Sequence, residues 1–346
     1  MKSGLNVIFV AFALLILSSC STTRVLKEDQ YRLQKNRIEI TNDQKFNPSQ
    51  LNKYLKQNES LGWSPFLYVY NWTNGKNGPW DRFVQRIGKA PVIYNPELVE
   101  TSVENIENHL EYIGYYGSRV NAEIRANGKK VNVKYNVTLG KRFPIKEIRL
   151  HLPQHGEFAE AFLADTSRFT IKKGDFLAES SLEAETERSS SILRNQGFYD
   201  FSKNNYFFEA DTLTDPGYAI LDLTVNEYTR NESPKEAEPI RRFYINNVSM
   251  SYPKDLEIKE SILLNLNTIV PGELYDEDAV NNTYSRLSAL DVFSSVNIGM
   301  DKADTNKVNC AINLIPSKLQ GVKFDLELST NSSGLFGISP QFSYFH

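Results

Sequence analysis

The sequence predicts an α+β fold of three tandem repeats, each in the order β-α-α-β-β, followed by a hairpin of long strands. Two observations lead to this prediction. A short glycine–aromatic motif recurs at intervals of 83 and 94 residues, each time after a helical pattern and before two strand patterns. The last 26 residues then alternate apolar and polar side chains over two long stretches. With 346 residues the chain has room for several small domains.

The motif occurs in HLEYIGYYGSRV (109–120), ILRNQGFYDFS (192–202) and RLSALDVFSSV (286–296). In each copy a leucine is followed four residues later by a glycine or an aspartate, and then by two apolar residues. The glycine position holds Gly114, Gly197 and Asp291. Because the end of a helix favours a residue in the left-handed conformation, the motif predicts a helix C-terminus in each repeat.

The segments around the motif predict the other elements. First strands are predicted at 36–41, 144–152 and 243–250, each followed by a short helix. Longer helices are predicted at 97–113, 182–193 and 276–290, where apolar residues recur at helical spacing. Two strands follow each motif, and Asn127-Gly128 predicts a two-residue hairpin turn. Each repeat should form a three-stranded, mainly antiparallel sheet with helices on one face.

This order of elements and the glycine–aromatic motif resemble the POTRA domain, the polypeptide-transport-associated module of outer-membrane protein insertases. The resemblance covers roughly residues 31–316 and places the three domains at 31–140, 141–230 and 239–317. The third copy departs from the pattern, because Asp291 replaces the glycine.

The first repeat carries an insertion at 59–90 that holds all three tryptophans, Trp63, Trp72 and Trp80. We predict a loop that packs its aromatic side chains on the first domain. The alternative is a segment at the membrane–water interface near a lipid anchor, because tryptophan and tyrosine favour that boundary.

Residues 1–19 have the features of a signal peptide. The apolar run at 7–17 is too short to span a bilayer, which takes about 20 residues. The residues Leu17-Ser18-Ser19-Cys20 resemble the bacterial lipobox, in which the cysteine becomes the lipidated first residue. Residues 20–30 would then form a lipidated linker. The alternative is an ordinary signal peptide with an incidental cysteine.

The sequence offers no pattern for catalysis, a cofactor or a metal site. His151 and His155 are four residues apart, but they flank a proline and a glycine in a predicted exposed loop without a third ligand. Glu183, Glu185 and Glu187 are interpreted as the solvated face of a helix. We therefore expect no enzyme activity.

Charge and cysteine content narrow the possible partners. The net charge of −3 and the absence of a long basic run argue against nucleic acid, and the pair Arg241-Arg242 is interpreted as a solvated patch. Cys310 lies in a strand pattern and is predicted to be a small buried residue.

The closing strands are predicted in GVKFDLELST and LFGISPQFSYF. Apolar side chains share one face of each strand and polar side chains the other. Tilted strands of transmembrane barrels use about 9–11 residues with this alternation. We therefore predict that residues 318–346 begin a transmembrane β-barrel whose remaining strands are missing from this chain.

The domains, the lipobox and the hairpin together resemble the BamA/TamA superfamily of outer-membrane assembly factors, above all the TamA-like lipoproteins of Bacteroidetes. This resemblance implies a lipid-anchored outer-membrane protein with periplasmic POTRA domains and no cofactor. Its implied partners are outer-membrane lipid, unfolded outer-membrane client proteins and a TamB-like protein that bridges the periplasm. An open sheet edge can bind an extended chain through main-chain hydrogen bonds. The alternatives are a lipid-anchored POTRA scaffold without a barrel, or a secretion pore of the two-partner type.

Overall fold

The computed structural model describes residues 22–43, 45–59, 65–76, 78–153, 156–229, 238–253, 258–317, 321–330 and 336–345. The predicted signal peptide and the residues Cys20, Trp63, His155 and His346 lie outside the described residues. Contacts divide the chain into two compact units. The first comprises Met1–Lys146, Lys173–Leu182 and Thr212–Ala219, and the second comprises Glu147–Lys172, Glu183–Asp211 and Ile220–His346.

The first repeat lies in the first unit and follows the predicted order. Its elements are β1 (Arg32–Ile40), a 3-10 helix (Pro48–Tyr54), α1 (Pro65–Tyr70), α2 (Pro79–Ile87), α3 (Pro96–Tyr112), β2 (Arg119–Asn127) and β3 (Lys130–Thr138). The sheet has the order β1-β3-β2. The predicted hairpin is confirmed, but its two-residue turn is Gly128-Lys129 rather than Asn127-Gly128, since Asn127 still pairs with Lys130 and Gly128 has φ of 57°.

The core of this repeat lies between the sheet and the long helix α3. Val99, Ile106 and Leu110 are buried at helical spacing, as the apolar pattern predicted. They pack with sheet residues such as Val133 and Tyr135 in one cluster. Asn95 begins the helix by accepting a hydrogen bond from the Glu97 amide, and Pro96 follows at a position where no amide is needed.

The insertion at 59–90 contains two helices, so the prediction of a loop is wrong for this part of the chain. Helix α1 begins at Pro65 and helix α2 at Pro79, because proline has the backbone φ of a first helical turn and lacks an amide that would need a partner there. Leu67 and Val84 bury one face of each helix. The signal missed in the sequence was therefore the pair of prolines.

The second repeat contains β4 (Ile145–His151), α4 (Glu157–Asp165), α5 (Glu179–Arg194), β5 (Tyr206–Asp211) and β6 (Ala219–Val225). Its sheet has the order β4-β6-β5. One cluster of its core, which lies in the second unit, is rich in aromatic side chains. These are Phe158, Phe162, Phe198, Phe201 and Tyr206.

The third repeat contains β7 (Tyr244–Ser251), α6 (Glu260–Leu266), α7 (Glu277–Ser288), β8 (Phe293–Asp304) and β9 (Lys307–Pro316), with the sheet order β7-β9-β8. Cys310 is buried in its core, as predicted, and burial raises the pKa of the thiol to about 11.

The sheets of the first and third repeats are mixed rather than mainly antiparallel, which corrects the prediction for these two repeats. β1 runs parallel to β3, and β7 runs parallel to β9, whereas β2 and β8 are antiparallel to the same central strands. The helices between the first strand and the final hairpin of a repeat carry the chain back across the sheet. A crossover of this kind places the joined strands parallel.

The last two strands, β10 (Gly321–Thr330) and β11 (Phe336–Phe345), pair antiparallel in continuous register. Val322 lies opposite Tyr344, and Phe324 lies opposite Phe342. These four side chains are all exposed, from 59% for Tyr344 to 68% for Phe342, so this part of the apolar face is open to solvent. The predicted hairpin is thus present, and its place in a barrel stays a prediction.

Candidate functional site

Strand β2 provides the most open edge of the first sheet. It pairs with β3 over nine consecutive residue pairs, from Arg119↔Thr138 to Asn127↔Lys130, without a bulge. Within the described residues, no backbone group outside the sheet bonds to this strand. Glu107 occupies only its first outward position, where the side chain accepts a hydrogen bond from the Val120 amide over 2.8 Å.

The register shows which groups of β2 face outward. In a two-residue hairpin the pair that flanks the turn is hydrogen-bonded, so Asn127 and every second residue before it bond to β3. The amides and carbonyls of Ala122, Ile124 and Ala126 therefore point away from the sheet. The Ile124 side chain is also 51% exposed and lies on the same face as buried Val120. An added strand could use both the backbone groups and this apolar side chain.

The opposite edge of the same sheet is covered. Leu33 of β1 donates to the Val92 carbonyl over 2.8 Å, and Arg32 forms an isolated bridge with Ile93. Further along β1, the Asn36 amide donates to the Glu59 carboxylate over 2.6 Å. The segments on either side of the insertion therefore protect β1.

In the second and third repeats, the edge strands β5, β7 and β8 are short, covered or bulged. β5 has six residues. β7 begins against Glu273 and Leu274, where the Ile245 amide donates to the Glu273 carbonyl over 2.8 Å. β8 is long, but its register shifts near both ends, and the Tyr199 hydroxyl already donates to the Met300 carbonyl over 3.3 Å. Bulges and covered groups are ways in which proteins prevent edge pairing.

The glycine–aromatic motif connects one repeat to the beginning of the next. Gly114 ends α3 with φ of 90°, which confirms the predicted left-handed position. Tyr115 packs with the first core, whereas Tyr116 forms a two-hydrogen-bond bridge with Lys141 at distances of 2.9 and 3.0 Å. The Tyr116 ring also packs against Phe143, just before β4. Tyr115 therefore packs in the core of its own repeat, and Tyr116 packs against the beginning of the next repeat.

The second copy of the motif divides its aromatic residues in the same way. Gly197 has φ of 99°, and its carbonyl accepts a hydrogen bond from the Phe243 amide over 2.8 Å. Phe198 is fully buried in the core of the second repeat. Tyr199 instead packs edge-on against Phe243 and Tyr275, with ring centroids 5.5 and 5.0 Å apart.

The third copy differs from the other two. Phe293, the second apolar residue of the pair, is buried in the core of its own repeat, whereas Val292 is 42% exposed. The Val292 carbonyl accepts a hydrogen bond from the Ser317 amide over 2.8 Å. The third copy of the motif, which has Asp291 at the glycine position, therefore resembles the first two in sequence but packs its two apolar residues differently.

Three charged residues of the second repeat form a buried cluster that the sequence did not reveal. Arg188 Nη2 lies 2.5 Å from Glu185 Oε1 and 2.6 Å from Asp165 Oδ2, and the two acidic side chains are 1% and 3% exposed. Hydrogen bonds raise the pKa of Arg188, and the bonds to Glu185 have a larger effect than those to Asp165. The prediction of a solvated face is wrong for Glu185, because an arginine one turn further along α5 neutralises its charge and permits burial.

The structure also differs from the predictions for one histidine and for the arginine pair. His151 ends strand β4 rather than lying in a loop, and its Nε2 lies 2.9 Å from Asp222 Oδ1. Arg241 and Arg242 are half-buried, and Arg242 lies over the Phe198 ring. In the parts of the chain that are described, no three histidine, cysteine, aspartate or glutamate side chains come close enough to hold a metal ion. No described helix has both the length and the apolar character needed to cross a bilayer.

Comparison with known proteins finds a family similar to the first repeat. Residues 35–140 match the family model described as "POTRA: Surface antigen variable number repeat". These residues include most of β1 and all of α3, β2 and β3, so the match covers most of the first repeat. No curated protein matches the sequence significantly.

Solved structures of low sequence identity are also similar to the chain. POTRA3-5 of BamA from Haemophilus influenzae aligns over 84% of this chain and 99% of that chain, with 14% identity and a TM-score of 0.46. POTRA1-3 of Omp85 from Anabaena aligns over 85% and 98%, with 12% identity and a TM-score of 0.27. CdiB from Acinetobacter baumannii aligns over 57% of this chain at 14% identity and a TM-score of 0.24, and the chain spans 34% of CdiB.

Proposed function

We propose that this chain acts in the assembly of outer-membrane proteins and that its first POTRA domain binds unfolded client chains along β2. The observation that carries this proposal is the nine-residue, unbulged edge of β2, whose outward backbone groups have no partner from Ala122 to Ala126 within the described residues. The POTRA match of residues 35–140 supports the same class of function. No catalytic step is part of it.

Capture would occur by strand addition. An extended client would lie beside β2 and exchange main-chain hydrogen bonds with Ala122, Ile124 and Ala126. Such bonds do not depend on client side chains, so many different sequences can bind. Apolar residues at alternate client positions would cover the exposed Ile124 side chain, which favours the amphipathic strands of β-barrel proteins.

Ile124→Pro tests this edge, because proline removes the outward amide while leaving the bonds to β3 in place. The probe is a synthetic peptide with the amphipathic sequence of β10, GVKFDLELST, and binding is measured by hydrogen exchange and NMR titration of the full chain. We expect protection of the Ala122, Ile124 and Ala126 amides in the unmodified chain and at least tenfold weaker binding by Ile124→Pro.

The matched control is Ile124→Ala, which keeps the amide and removes only the side chain. It should bind the peptide more tightly than Ile124→Pro does. Equal affinity of the proline variant and the unmodified chain would show that clients do not add to β2.

We also propose that Cys20 is lipidated and that the chain is held at the outer membrane as a TamA-like lipoprotein with a TamB-like partner. The lipobox-like residues 17–20 support this proposal. Cys20→Ala should abolish incorporation of labelled palmitate, and labelling that persists in the variant would contradict it.

The β10–β11 hairpin would form part of a transmembrane barrel. Its uncovered apolar face, which includes Val322, Phe324 and Phe342, supports this role. Strands in lipid need every backbone group paired, which a closed barrel provides. Phe324→Asp should therefore impair membrane integration, whereas Asp325→Asn on the other face should not.

A further inference from the structure

Helix α2 of the insertion presents an apolar face to solvent. Trp80, Phe83 and Ile87 are 51%, 56% and 45% exposed, and their spacing of three and four residues puts them in one row along the helix. Trp72, which is 50% exposed, joins the end of this row, since the Trp80 indole donates to its carbonyl over 3.4 Å. We refer to Trp72, Trp80, Phe83 and Ile87 as the aromatic stripe.

Residues other than the aromatic stripe form the packed inner face of α2. The neighbouring face of α2 already packs inward through Val84, and the Asp81 carboxylate fixes the preceding loop by accepting from the Asn74 amide over 2.7 Å. Gly88 ends the helix in close contact with Tyr70 of α1. With its inner face occupied, α2 holds the stripe outward, where about half of each side chain is exposed to solvent.

Basic side chains accompany the stripe. Residues 65–90 contain Lys76, Arg82, Arg86 and Lys89 but only one acid, Asp81, which gives this segment a net charge of +3 in a chain of net charge −3. Arg82 and Arg86 are exposed and lie one turn apart beside the stripe. Tryptophan and phenylalanine flanked by arginine are typical of helices that lie in the interface of an anionic bilayer.

The start of the described chain is bound to the same insertion. The Val25 amide donates to Asn71 Oδ1 over 3.3 Å, and the Asn71 side chain donates in turn to the Leu67 carbonyl of α1. Buried Thr22 accepts a hydrogen bond from the buried side chain of Arg32 over 2.5 Å.

We propose that the aromatic stripe is a membrane-contact surface, which inserts into the interface of an anionic bilayer while Arg82 and Arg86 bind lipid phosphate groups. The lipid anchor proposed at Cys20 would be a second attachment of the chain to the membrane. The stripe and the anchor would then hold the first repeat against the membrane at two points. This contact is separate from client binding at β2 and can be tested independently.

Tryptophan quenching by brominated lipid tests the contact directly. Trp63→Phe leaves Trp72 and Trp80 as the only tryptophans of the full chain. This protein is reconstituted in vesicles of phosphatidylethanolamine and phosphatidylglycerol, with and without bromine on the acyl chains. We expect brominated lipid to quench more than half of the emission. Adding Arg82→Glu and Arg86→Glu should reduce the quenching at least twofold at low salt, because anionic lipid would repel the carboxylates.

The matched control moves the reporter to a similarly exposed aromatic position. In a chain whose three tryptophans are replaced by phenylalanine, Tyr284→Trp introduces one on α7, where Tyr284 is 50% exposed. This reporter should remain unquenched. Equal quenching at both positions, or none at the stripe, overturns the proposal. Tryptophan emission could instead change with protein concentration in detergent and stay unchanged by brominated lipid. That result would overturn the membrane-contact proposal and indicate contact with a second copy of the chain.

Discussion

Gly114 lies so close to Leu177 that a Cβ atom on its backbone would sit 2.4 Å from the Leu177 carbonyl oxygen. Its φ of 90° is also one that side chains rarely adopt. Gly197, the equivalent glycine, has a similar φ, but a Cβ there would meet side-chain atoms of Leu274 and Arg242 at 3.1 and 3.3 Å. A side chain at Gly114 would therefore overlap a backbone atom, whereas one at Gly197 would meet only side-chain atoms at longer distances.

Gly114→Ala should destabilise the first unit by about 2–5 kcal/mol, because backbone strain adds to overlap with a carbonyl that cannot rotate away. Gly197→Ala should cost less, since the Leu274 side chain can shift. Urea denaturation followed by circular dichroism measures both effects.

The control for strain alone is Gly174→Ala. Gly174 has φ of 97°, and a Cβ there would have no neighbour within 4 Å. This variant should lose only about 1–2 kcal/mol. If Gly114→Ala and Gly174→Ala are equally stable, the close approach to Leu177 does not contribute to the role of the glycine.

The sequence predicted the repeat order well because each element carries a local signal. The buried row of Val99, Ile106 and Leu110 and the hairpin turn next to Asn127 depend only on neighbours in sequence. The sequence did not reveal features that depend on contacts between residues far apart in the chain. The burial of Glu185 depends on Asp165 and Arg188, and the covering of β1 depends on the chain folding back after the insertion. The open edge of β2 could be identified only after the order β1-β3-β2 was known.

Arg188→Met should destabilise the second unit by about 3–5 kcal/mol at neutral pH. The substitution leaves Asp165 and Glu185 buried and close together without a cation, which is costlier than the original cluster. Urea denaturation at pH 7 measures the difference between the variant and the unmodified chain.

Lys203→Met is the matched control for charge removal near the same helix. Lys203 pairs with Glu183 and Glu187 through exposed side chains, which solvent screens. No measurable change in stability is expected. A loss as large as that of Arg188→Met would mean that burial does not distinguish the two sets of ion pairs.

Cys310 should resist alkylation in the folded chain. Burial raises the pKa of its thiol from 9.0 to about 11, and only the thiolate reacts. Iodoacetamide at pH 8 should modify the Cys310 peptide in urea but not in buffer, as measured by mass spectrometry. Rapid modification of the native chain would contradict this burial.

The same shift predicts a loss of stability in base. The unfolded thiol ionises near pH 9, whereas the folded thiol stays protonated up to about pH 11, so the contribution of Cys310 is complete below pH 9 and falls as the pH rises through 11. Cys310→Ala should show a smaller decrease in urea midpoint between pH 8 and pH 10.5 than the unmodified chain. Identical decreases would assign the effect to other groups.

Tyr199→Ala should weaken the contact between the second motif and the third repeat, because the ring packs between Phe243 and Tyr275 and its hydroxyl reaches Met300. We expect a loss of about 2–4 kcal/mol and faster hydrogen exchange in β8. Tyr199→Phe keeps the ring and removes only one hydrogen bond, so it should lose about 0.5–1.5 kcal/mol. If both variants lose the same amount, the hydroxyl rather than the ring makes the contact, and the division of the two aromatic residues between neighbouring cores is wrong.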